Sequence, residues 1–367
     1  MRIVYVLTSL GIGGAERQVL ALADRMAKRG HAVTLLVLRP RLAEECATKL
    51  DVVHLDMRKS FFSSLRALLR ARRFVLQFEP DIVHSHSFHA NVFARLFKML
   101  MPGLTLISTI HNVHEGGRMR MLAYRLTDSM SARTTAVSTA AAERFIQLKA
   151  VPRSKCLVLT NGIDAVEFSP DAGRRAAMRS AMGVGEEFVW LAAGRVVPAK
   201  DYPNLLRAFA QERAAQPGAQ LWIAGSGDPG DRKQYGVFAV ERGLVQQARW
   251  LGLRRDMPAL LDAADGFVLA SAWEGMPLAV GEAMAMAKPV VATDVGGVRE
   301  LVSDAGKVVA AGIPNALAAA MLDLMSCSDD EQRRRGDRGR ARIETEFSMD
   351  RRADQWEGLY ASLPRRN

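Results

Sequence analysis

The sequence predicts two α/β domains in series, each built on a doubly wound parallel sheet. The first forty residues read as strand ("RIVYVL"), glycine turn ("TSLGIGG"), helix (Ala15 to about Arg29) and strand ("AVTLLVL"), which is one βαβ unit. The same alternation restarts at "FVWLAAGR", after the polar, proline-containing stretch "IDAVEFSPDAGRR". A chain of 367 residues is also too long for one ordinary core.

Further apolar strand candidates continue the alternation in both halves. In the first half they are "VVHL", "DIVHSH", "TLISTIH", "RTTAVS" and "CLVLTNG"; in the second they are "FVWLAAG", "AQLWIAGSG", "ARWLG", "GFVLAS" and "PVVATD". The break between the halves places one domain at residues 1–165 and the other at 166–349. A C-terminal helix at about 350–367, in "DRRADQWEGLYASL", could pack back on the first domain.

Composition is that of a globular protein with an anionic partner. The chain is 49% apolar and 24% charged, with a formal net charge of +11. Phosphorylated small molecules, nucleic acid and an acidic membrane surface would all fit that charge, but few aromatics and no RNA-binding or zinc-finger signature disfavour nucleic acid. No apolar run reaches the roughly 18 residues of a membrane span, and "RIVYVL" is too short for a signal peptide, so we expect a cytoplasmic protein. Three dispersed cysteines argue against disulfides and structural zinc.

The glycine turn after the first strand does not match a dinucleotide-binding fingerprint. In "GIGGAE", Gly11 and Gly13 are followed by Glu16 where GxGxxG requires a third glycine, and the second strand ends at Leu38–Arg39 without an acid for a ribose. NAD binding is therefore disfavoured. Either the turn is simply tight, or its backbone approaches a ligand closely.

Two cations follow the first strand of the second domain. In "AAGRVVPAKDY", Arg195 leaves the carboxyl end of the strand and Lys200 lies five residues on, at the start of the next helix. Ligands of open α/β sheets bind beyond the carboxyl ends of strands, so this pair suits a diphosphate. The alternative is a solvated basic turn.

Two acids lie in the small-residue run "SAWEGMPLAVGEAMAMAKPVVATDVGG". Glu274 is predicted on a loop after a strand, and Glu282 within the helix that Pro277 begins. Backbone amides at the helix start would bind phosphate between the two acids, while the carboxylates accept sugar hydroxyls. A nucleotide sugar fits this order of groups, although either acid considered alone would be read as a surface charge.

These residues belong to a set of ordered motifs that resembles glycosyltransferase family 4, the group 1 glycosyltransferases. The set covers nearly the whole chain: "GGAE", "DIVHSHSFHAN", "STIHN", "NGID", "GRVVPAK", "AGSG", "LG" before "DMPALLDAAD", and the EX7E segment "EGMPLAVGEAMA". The resemblance implies GT-B architecture, two Rossmann-like doubly wound domains facing across a crevice. It also implies a retaining transfer of a hexose or N-acetylhexosamine from a nucleotide sugar, with no cofactor and no essential metal. The family favours UDP as the nucleotide of the donor.

The resemblance also assigns roles to individual residues. Arg195 and Lys200 would hold the donor pyrophosphate and Glu282 the ribose, while Glu274 and the turn after it would hold the transferred sugar and the β-phosphate. The remaining donor-binding residues would be Gly14, Gly225, Arg254, Gly275, Met276, Pro277 and Leu278. Gly275-Met276-Pro277 departs from the family's usual aromatic-glycine pair, so the sugar stays open.

Histidines mark the first-domain side of the predicted site. His111 in "STIHN" would be the active-site histidine facing the sugar, with His86 and Asn112 near the acceptor. A structural strand-end histidine is the alternative for His111. His84, His86 and His89 also suggest a zinc cluster, but no acid or cysteine completes it.

A basic segment suggests an anionic membrane surface as a further partner. Residues 57–78, "MRKSFFSSLRALLRARRFVLQF", carry six basic residues and no acid, and a helix here would group Arg66, Arg70 and Arg73 beside Phe61, Leu65, Leu68 and Leu69. A solvated surface helix is the alternative. The family favours lipid-linked or polysaccharide acceptors and a peripheral place on the inner face of the cell membrane. A nucleotide-sugar epimerase or hydrolase and a non-catalytic membrane scaffold are the competing functions.

Overall fold

The computed structural model describes residues 1–364 and divides into two compact units. The first comprises Met1–Gly162 and the C-terminal segment from Met349, and the second comprises Ile163–Ser348. The first division falls three residues before the predicted position at residue 165. Residues 365–367, at the end of the predicted C-terminal helix, lie outside the described residues.

The first unit contains a parallel sheet of seven strands. They are β1 (Arg2–Leu7), β2 (Ala32–Val37), β3 (Asp51–His54), β4 (Ile82–His86), β5 (Leu106–Ile110), β6 (Arg133–Ala136) and β7 (Cys156–Val158). Their order, β3-β2-β1-β4-β5-β6-β7, is that of a doubly wound sheet, with its switch point between β1 and β4. Four of these strands are buried along nearly their whole length, which explains their continuous apolar sequence.

The helices of the first unit cover both faces of this sheet. They are α1 (Gly14–Lys28), α2 (Phe61–Phe78), α3 (Ser87–Leu100), α4 (Arg118–Thr127) and α5 (Thr139–Gln147). Side chains of α2 and α3 share one hydrophobic core with β1 and β4, and α4 packs beside α3. The opposite face of β1 packs against α1.

The second unit repeats the design with six parallel strands. They are β8 (Val189–Ala193), β9 (Gln220–Ala224), β10 (Ala248–Gly252), β11 (Gly266–Leu269), β12 (Val290–Thr293) and β13 (Lys307–Val309). The order is β10-β9-β8-β11-β12-β13, so the switch point lies between β8 and β11. Its helices are α6 (Ala172–Ala181), α7 (Tyr202–Ala215), α8 (Pro229–Glu241), α9 (Met257–Ala263), α10 (Leu278–Ala285), α11 (Val298–Val302), α12 (Pro314–Met325) and α13 (Asp329–Glu346).

The last helix of the chain, α14 (Met349–Ser362), belongs to the first unit. Ala353, Trp356 and Tyr360 enter the core formed by α1, β1 and β2. The hydroxyl of Tyr360 lies 2.7 Å from Nδ1 of His84 and 3.2 Å from the hydroxyl of Tyr5. Aromatic packing and buried hydrogen bonds thus fix the end of the chain onto the first sheet.

Every segment predicted as a strand contains one, and the fold class is confirmed. The sequence did not predict β13. Its segment "KVV" is only three residues long, partly exposed and without alternation of apolar and polar residues. One placement was wrong by two residues: Lys200 ends a single 3₁₀ turn, Pro198–Lys200, and the helix begins at Tyr202. Within residues 1–364, no helix is both long and apolar enough to cross a membrane.

Candidate active site

A lysine and a glutamate from neighbouring strands meet beyond the carboxyl ends of β8 and β11. The Nζ atom of Lys200 lies 2.6 Å from Oε1 of Glu274, and the Ser271 hydroxyl donates to the same oxygen at 2.7 Å. Glu274 is 8% exposed. Both residues were predicted from the sequence, but their pairing was not. A buried carboxylate needs such partners, since an unpaired one would lose its hydration without compensation.

Backbone contacts with the segment after β12 hold the loop that carries Glu274. The amide of Gly297 donates to the Gly275 carbonyl at 2.7 Å. Gly296 has φ +56°, and a Cβ atom there would lie 2.2 Å from the Glu274 carbonyl oxygen. Gly296 is therefore required for this approach, and the analysis of sequence had assigned it no role. A glycine pair after a strand was the only signal that could have indicated it.

Arg195 lies just after the end of β8 and has no protein partner within the described residues. It follows Gly194, is exposed, and makes no hydrogen bond or ion pair within the described part of the chain. Gly194 itself accepts a hydrogen bond from the Tyr202 hydroxyl at 2.9 Å. The guanidinium is thus a free donor for an anion near the switch point.

Gly225 has a backbone reason for being glycine. Its φ is +155°, and a Cβ atom would lie 1.9 Å from the Gly194 carbonyl oxygen. The turns that end β8 and β9 therefore pack backbone against backbone. The amide of Gly194 donates to Ala224 at 3.0 Å in the same contact.

The second acid, Glu282, is a buried residue of α10. It is 4% exposed, so the alternative of a solvated helix charge is wrong. Pro277 is the N-cap of this helix, Leu278 its first residue, and Met276 is buried just before it. No side chain caps the N-terminus of α10, which leaves the amides of its first turn available to an anion.

In the first unit, His111 follows β5 and is paired with His86. Nδ1 of His86 lies 3.0 Å from Nε2 of His111. His86 is only 3% exposed, and its Nε2 is buried without a partner in the described structure. The expectation that His86 contacts the acceptor substrate directly is therefore wrong. Its buried side chain contacts the ring of His111 instead.

Both imidazoles are held neutral by burial. Desolvation lowers the pKa of His111 to about 4, and desolvation together with the neighbouring His84 and His111 holds the pKa of His86 well below its usual range. Neutral His111 can exchange hydrogen bonds with hydroxyl groups but carries no charge toward a phosphate.

The other predicted site residues have simpler surroundings. Gly14 is exposed at the first position of α1, which no side chain caps. The side-chain oxygen of Asn112 accepts the His114 amide at 3.1 Å, which forms a local turn. Arg254 makes a bidentate pair with Asp256 at 2.8 and 2.6 Å.

The zinc alternative has no support in the described residues. Among them, no group of three or more His, Cys, Asp or Glu side chains could hold a metal ion. Both ring nitrogens of His84 lie within hydrogen-bond distance of hydroxyl groups, that of Tyr360 and, at 2.6 Å, that of Thr109. His84 is thus a satisfied core residue.

The predicted basic segment is the helix α2. Arg66, Arg70 and Arg73 are exposed, and Arg70 forms an ion pair with Asp56. The apolar neighbours divide: Phe61, Leu65 and Leu69 are exposed, while Leu68 packs on the core. Leu68 was expected beside the arginines together with Phe61, Leu65 and Leu69. That expectation is wrong for Leu68.

Comparison with known proteins identifies the family. Residues 12–167 match the family model "Glycosyltransferase Family 4", and residues 187–327 match "Glycosyl transferases group 1". The first match contains His86 and His111, and the second contains Arg195, Lys200, Glu274 and Glu282. This chain belongs to the family 4, group 1 glycosyltransferases.

Two curated relatives of this chain have names that include a nucleotide sugar. One is the UDP-Gal:α-D-GlcNAc-diphosphoundecaprenol α-1,3-galactosyltransferase of Escherichia coli, 26% identical over 65% of this chain and 64% of the relative. Another is a GDP-mannose-dependent monoacylated α-(1-6)-phosphatidylinositol monomannoside mannosyltransferase of Corynebacterium glutamicum, 31% identical over 56% of each chain. The aligned part thus spans less than two thirds of either relative.

A solved structure has the same fold as this chain. The Anabaena protein HepE, determined in complex with UDP-glucose, superposes with a TM-score of 0.88 over 99% of this chain and 100% of its own, at 22% identity. The likeness confirms the GT-B fold that the motifs had implied.

Proposed function

We propose that this protein is a retaining glycosyltransferase that moves a hexose or N-acetylhexosamine from a nucleotide sugar, UDP-linked, to a polysaccharide or lipid-linked acceptor. The observation that carries the proposal is the contact between Lys200 and Glu274 beyond the carboxyl ends of β8 and β11, together with the exposed Arg195 that also follows β8. Ligands of doubly wound sheets bind at such a switch point.

The donor diphosphate would be held by cations and amides. Arg195 offers an unpaired guanidinium, Lys200 an ammonium, and the first turn of α10 a set of uncapped amides. All three lie in the second unit and are in place before a ligand arrives. They would oppose the charge that develops on the leaving phosphate, so we propose that the reaction needs no metal and no other cofactor.

Sugar hydroxyls would be bound by carboxylates and by the neutral histidine. Oε1 of Glu274 is occupied by Lys200 and Ser271, while Oε2 makes no hydrogen bond within the described residues. Oε2 could thus accept from the transferred sugar, and Glu282 from the ribose. His111, neutral because its pKa is about 4, would contact the sugar from the first unit.

The same geometry favours retention without a glycosyl-enzyme intermediate. The ammonium of Lys200 and the hydroxyl of Ser271 share Oε1 of Glu274 and offset its charge, so the carboxylate can still accept hydroxyl groups through Oε2 but is a weakened nucleophile toward carbon. A double displacement would need a free carboxylate nucleophile. We propose instead that an oxygen of the departing donor phosphate takes the proton of the acceptor hydroxyl on the same face of the sugar.

An anionic membrane surface is the proposed second partner. None of the neighbouring helices α2, α3 and α4 contains an Asp or Glu, and each exposes large apolar side chains. Phe61 and Phe62 are 77% and 80% exposed at the start of α2. Exposed basic and apolar groups on these helices suit lipid headgroups and the acyl boundary below them. A peripheral place on the inner face of the cell membrane would bring a lipid-linked acceptor to the protein.

The relatives support the donor class but differ in the base. UDP appears in the complexes of HepE and in the name of the Escherichia coli relative, whereas the Corynebacterium relative uses GDP-mannose. The base must therefore be measured.

Thermal stabilisation by a panel of UDP, GDP, ADP and their sugars, with and without EDTA, tests the proposal. A specific ligand at 100 times its Kd should stabilise the protein by about 2.7 kcal/mol. We expect a shift with UDP and UDP-sugars that EDTA leaves unchanged, and its loss in Lys200→Ala.

The panel, together with an incubation of the protein with donor alone, separates the competing functions. Release of free sugar or an epimer without acceptor would favour a nucleotide-sugar hydrolase or epimerase. No shift with any nucleotide, in the wild type as in Lys200→Ala, would overturn the proposal and favour a scaffold. A shift that EDTA abolishes would overturn metal independence alone.

A further inference from the structure

The loop between β5 and α4, residues 111–117, is tied down by a carboxylate. Oε1 of Glu115 accepts the backbone amide of His111 at 2.9 Å, and its Oε2 accepts the hydroxyl of Tyr124 at 2.6 Å. One side chain thus connects the backbone of the site histidine to a residue of α4. Neither the motifs nor the family comparison gave Glu115 a role.

The other end of this connection is a fixed point in the core. Tyr124 is fully buried, and its hydroxyl also accepts from Nδ2 of Asn91 at 3.0 Å. The guanidinium of Arg95, itself fully buried, lies over the Tyr124 ring at 5.0 Å and donates to the Tyr124 carbonyl at 3.2 Å. These contacts hold Tyr124 in place. The hydrogen bond from its hydroxyl to Glu115 therefore holds the loop in place as well.

A second contact holds the loop directly after Glu115. Gly116 adopts φ +119°, and Arg120 donates to the Glu115 carbonyl at 3.0 Å, which turns the chain directly after the carboxylate. His86 contacts His111 only through the ring. The imidazole and the backbone of His111 are therefore held by different residues.

We propose that Glu115 is a positioning residue for His111, which sets where the imidazole meets the donor sugar. The inference rests on the proposed function, in which His111 contacts the transferred sugar. Glu115 itself touches no substrate in this scheme. Its effect would fall on the chemical step, because donor affinity comes mainly from the second unit.

The test compares Glu115→Ala and Glu115→Gln with matched changes at Glu143. Glu143 is an exposed carboxylate of the same unit, paired with Arg153 at 2.6 Å. In Glu115→Ala we expect kcat to fall about 10- to 100-fold, while the donor KM stays within about threefold, since a small misplacement of a reacting group costs rate more than affinity. Glu115→Gln keeps an oxygen for the His111 amide and should recover most of kcat. Both Glu143 variants should match the wild type.

Hydrogen exchange of the peptide covering residues 111–117 gives a second readout that needs no donor. Exchange should speed up in Glu115→Ala and remain slow in Glu115→Gln. Tyr124→Phe, which removes one hydroxyl, should fall between them and serves if Glu115→Ala does not fold.

Wild-type kcat in Glu115→Ala, or equal damage in Glu115→Gln and Glu115→Ala, would overturn the inference. If the wild type transfers no sugar, the proposed function fails, and unchanged exchange in Glu115→Ala would then reject the positioning role independently.

Discussion

The ammonium of Lys200 lies 2.6 Å from Oε1 of Glu274, although the two residues are 74 positions apart in the chain. Each follows one of two adjacent parallel strands, β8 and β11, which pair through Gly266 and Trp190. The pair joins a group suited to a diphosphate with a group suited to a sugar. A nucleotide sugar contains both chemistries, which is why this contact decides the proposed function.

Removing the lysine should impair both binding and catalysis. In Lys200→Ala we expect sugar transfer to fall at least about 100-fold, because a cation near the leaving phosphate is lost. The unfolding free energy should drop by roughly 1–3 kcal/mol, because Glu274 keeps only Ser271 as partner. Transfer assays and thermal unfolding measure the two effects. Lys307→Ala, at an exposed lysine 3.8 Å from Asp323, is the matched control. Normal transfer by Lys200→Ala would contradict the assignment of the site.

The close approach of the β8 and β9 turns predicts a severe glycine effect. A Cβ atom at Gly225 would lie 1.9 Å from the Gly194 oxygen, and φ is +155°. Gly225→Ala should therefore destabilise the protein by roughly 3–5 kcal/mol, measured by denaturant unfolding. In contrast, Gly236→Ala, in α8 with no atom within 4 Å of the added Cβ, should stabilise by about 0.5–1 kcal/mol. Equal stability of the two variants would refute the argument.

Charge reversal on α2 should abolish attachment to anionic lipid. We expect the wild type to bind vesicles that contain anionic lipid, more weakly at high salt, and not to bind neutral vesicles. Arg66→Glu/Arg70→Glu/Arg73→Glu should weaken binding at least about 100-fold, because each basic group near the surface contributes about 1 kcal/mol. The control Arg333→Glu/Arg334→Glu/Arg338→Glu makes the same charge change on α13, at arginines that already have acidic neighbours. Unchanged sedimentation of the α2 variant with vesicles would remove the membrane proposal.

A buried acid in α7 should make stability depend on pH. Glu212 is fully buried, neither carboxylate oxygen has a partner in the described structure, and desolvation raises its pKa from 4.5 to about 8. The folded state thus holds a proton that the unfolded state releases. Its contribution to stability is complete below pH 4.5 and is lost as pH rises to about 8, for a total on the order of 5 kcal/mol.

Glu212→Gln should abolish that loss, since the amide does not titrate. Unfolding at pH 5, 7 and 9 should show similar stability for the two proteins at pH 5 and a clear advantage of the variant at pH 9. The exposed acid Glu186, changed to Gln, should leave the profile of the wild type unchanged. Parallel profiles for the wild type and Glu212→Gln would show that Glu212 is ionised in the folded protein.

Patterns within a few residues predicted much of this protein. Continuous apolar runs gave the strands, because strands of a parallel sheet are buried on both faces. The spacing of Glu274, Pro277 and Glu282 placed one acid on a loop and the other in a helix, since turn and helix-start preferences act locally. Arg195 and Lys200 were recognised from their position after a strand. The motifs then gave the family and the GT-B fold, which the comparisons confirm.

Only the tertiary structure decided which of these groups meet. The pairing of Lys200 with Glu274, the contact of His111 with His86, and the need for glycine at Gly296 each join segments that strand order brings together. The same is true of Leu68, which the helical pattern placed beside the exposed residues but which packs against the core of the first unit. Local sequence sets the backbone preference of each segment and the chemistry of each side chain. Distances between side chains from different strands depend on how the sheet is assembled, and that is fixed by packing over the whole domain.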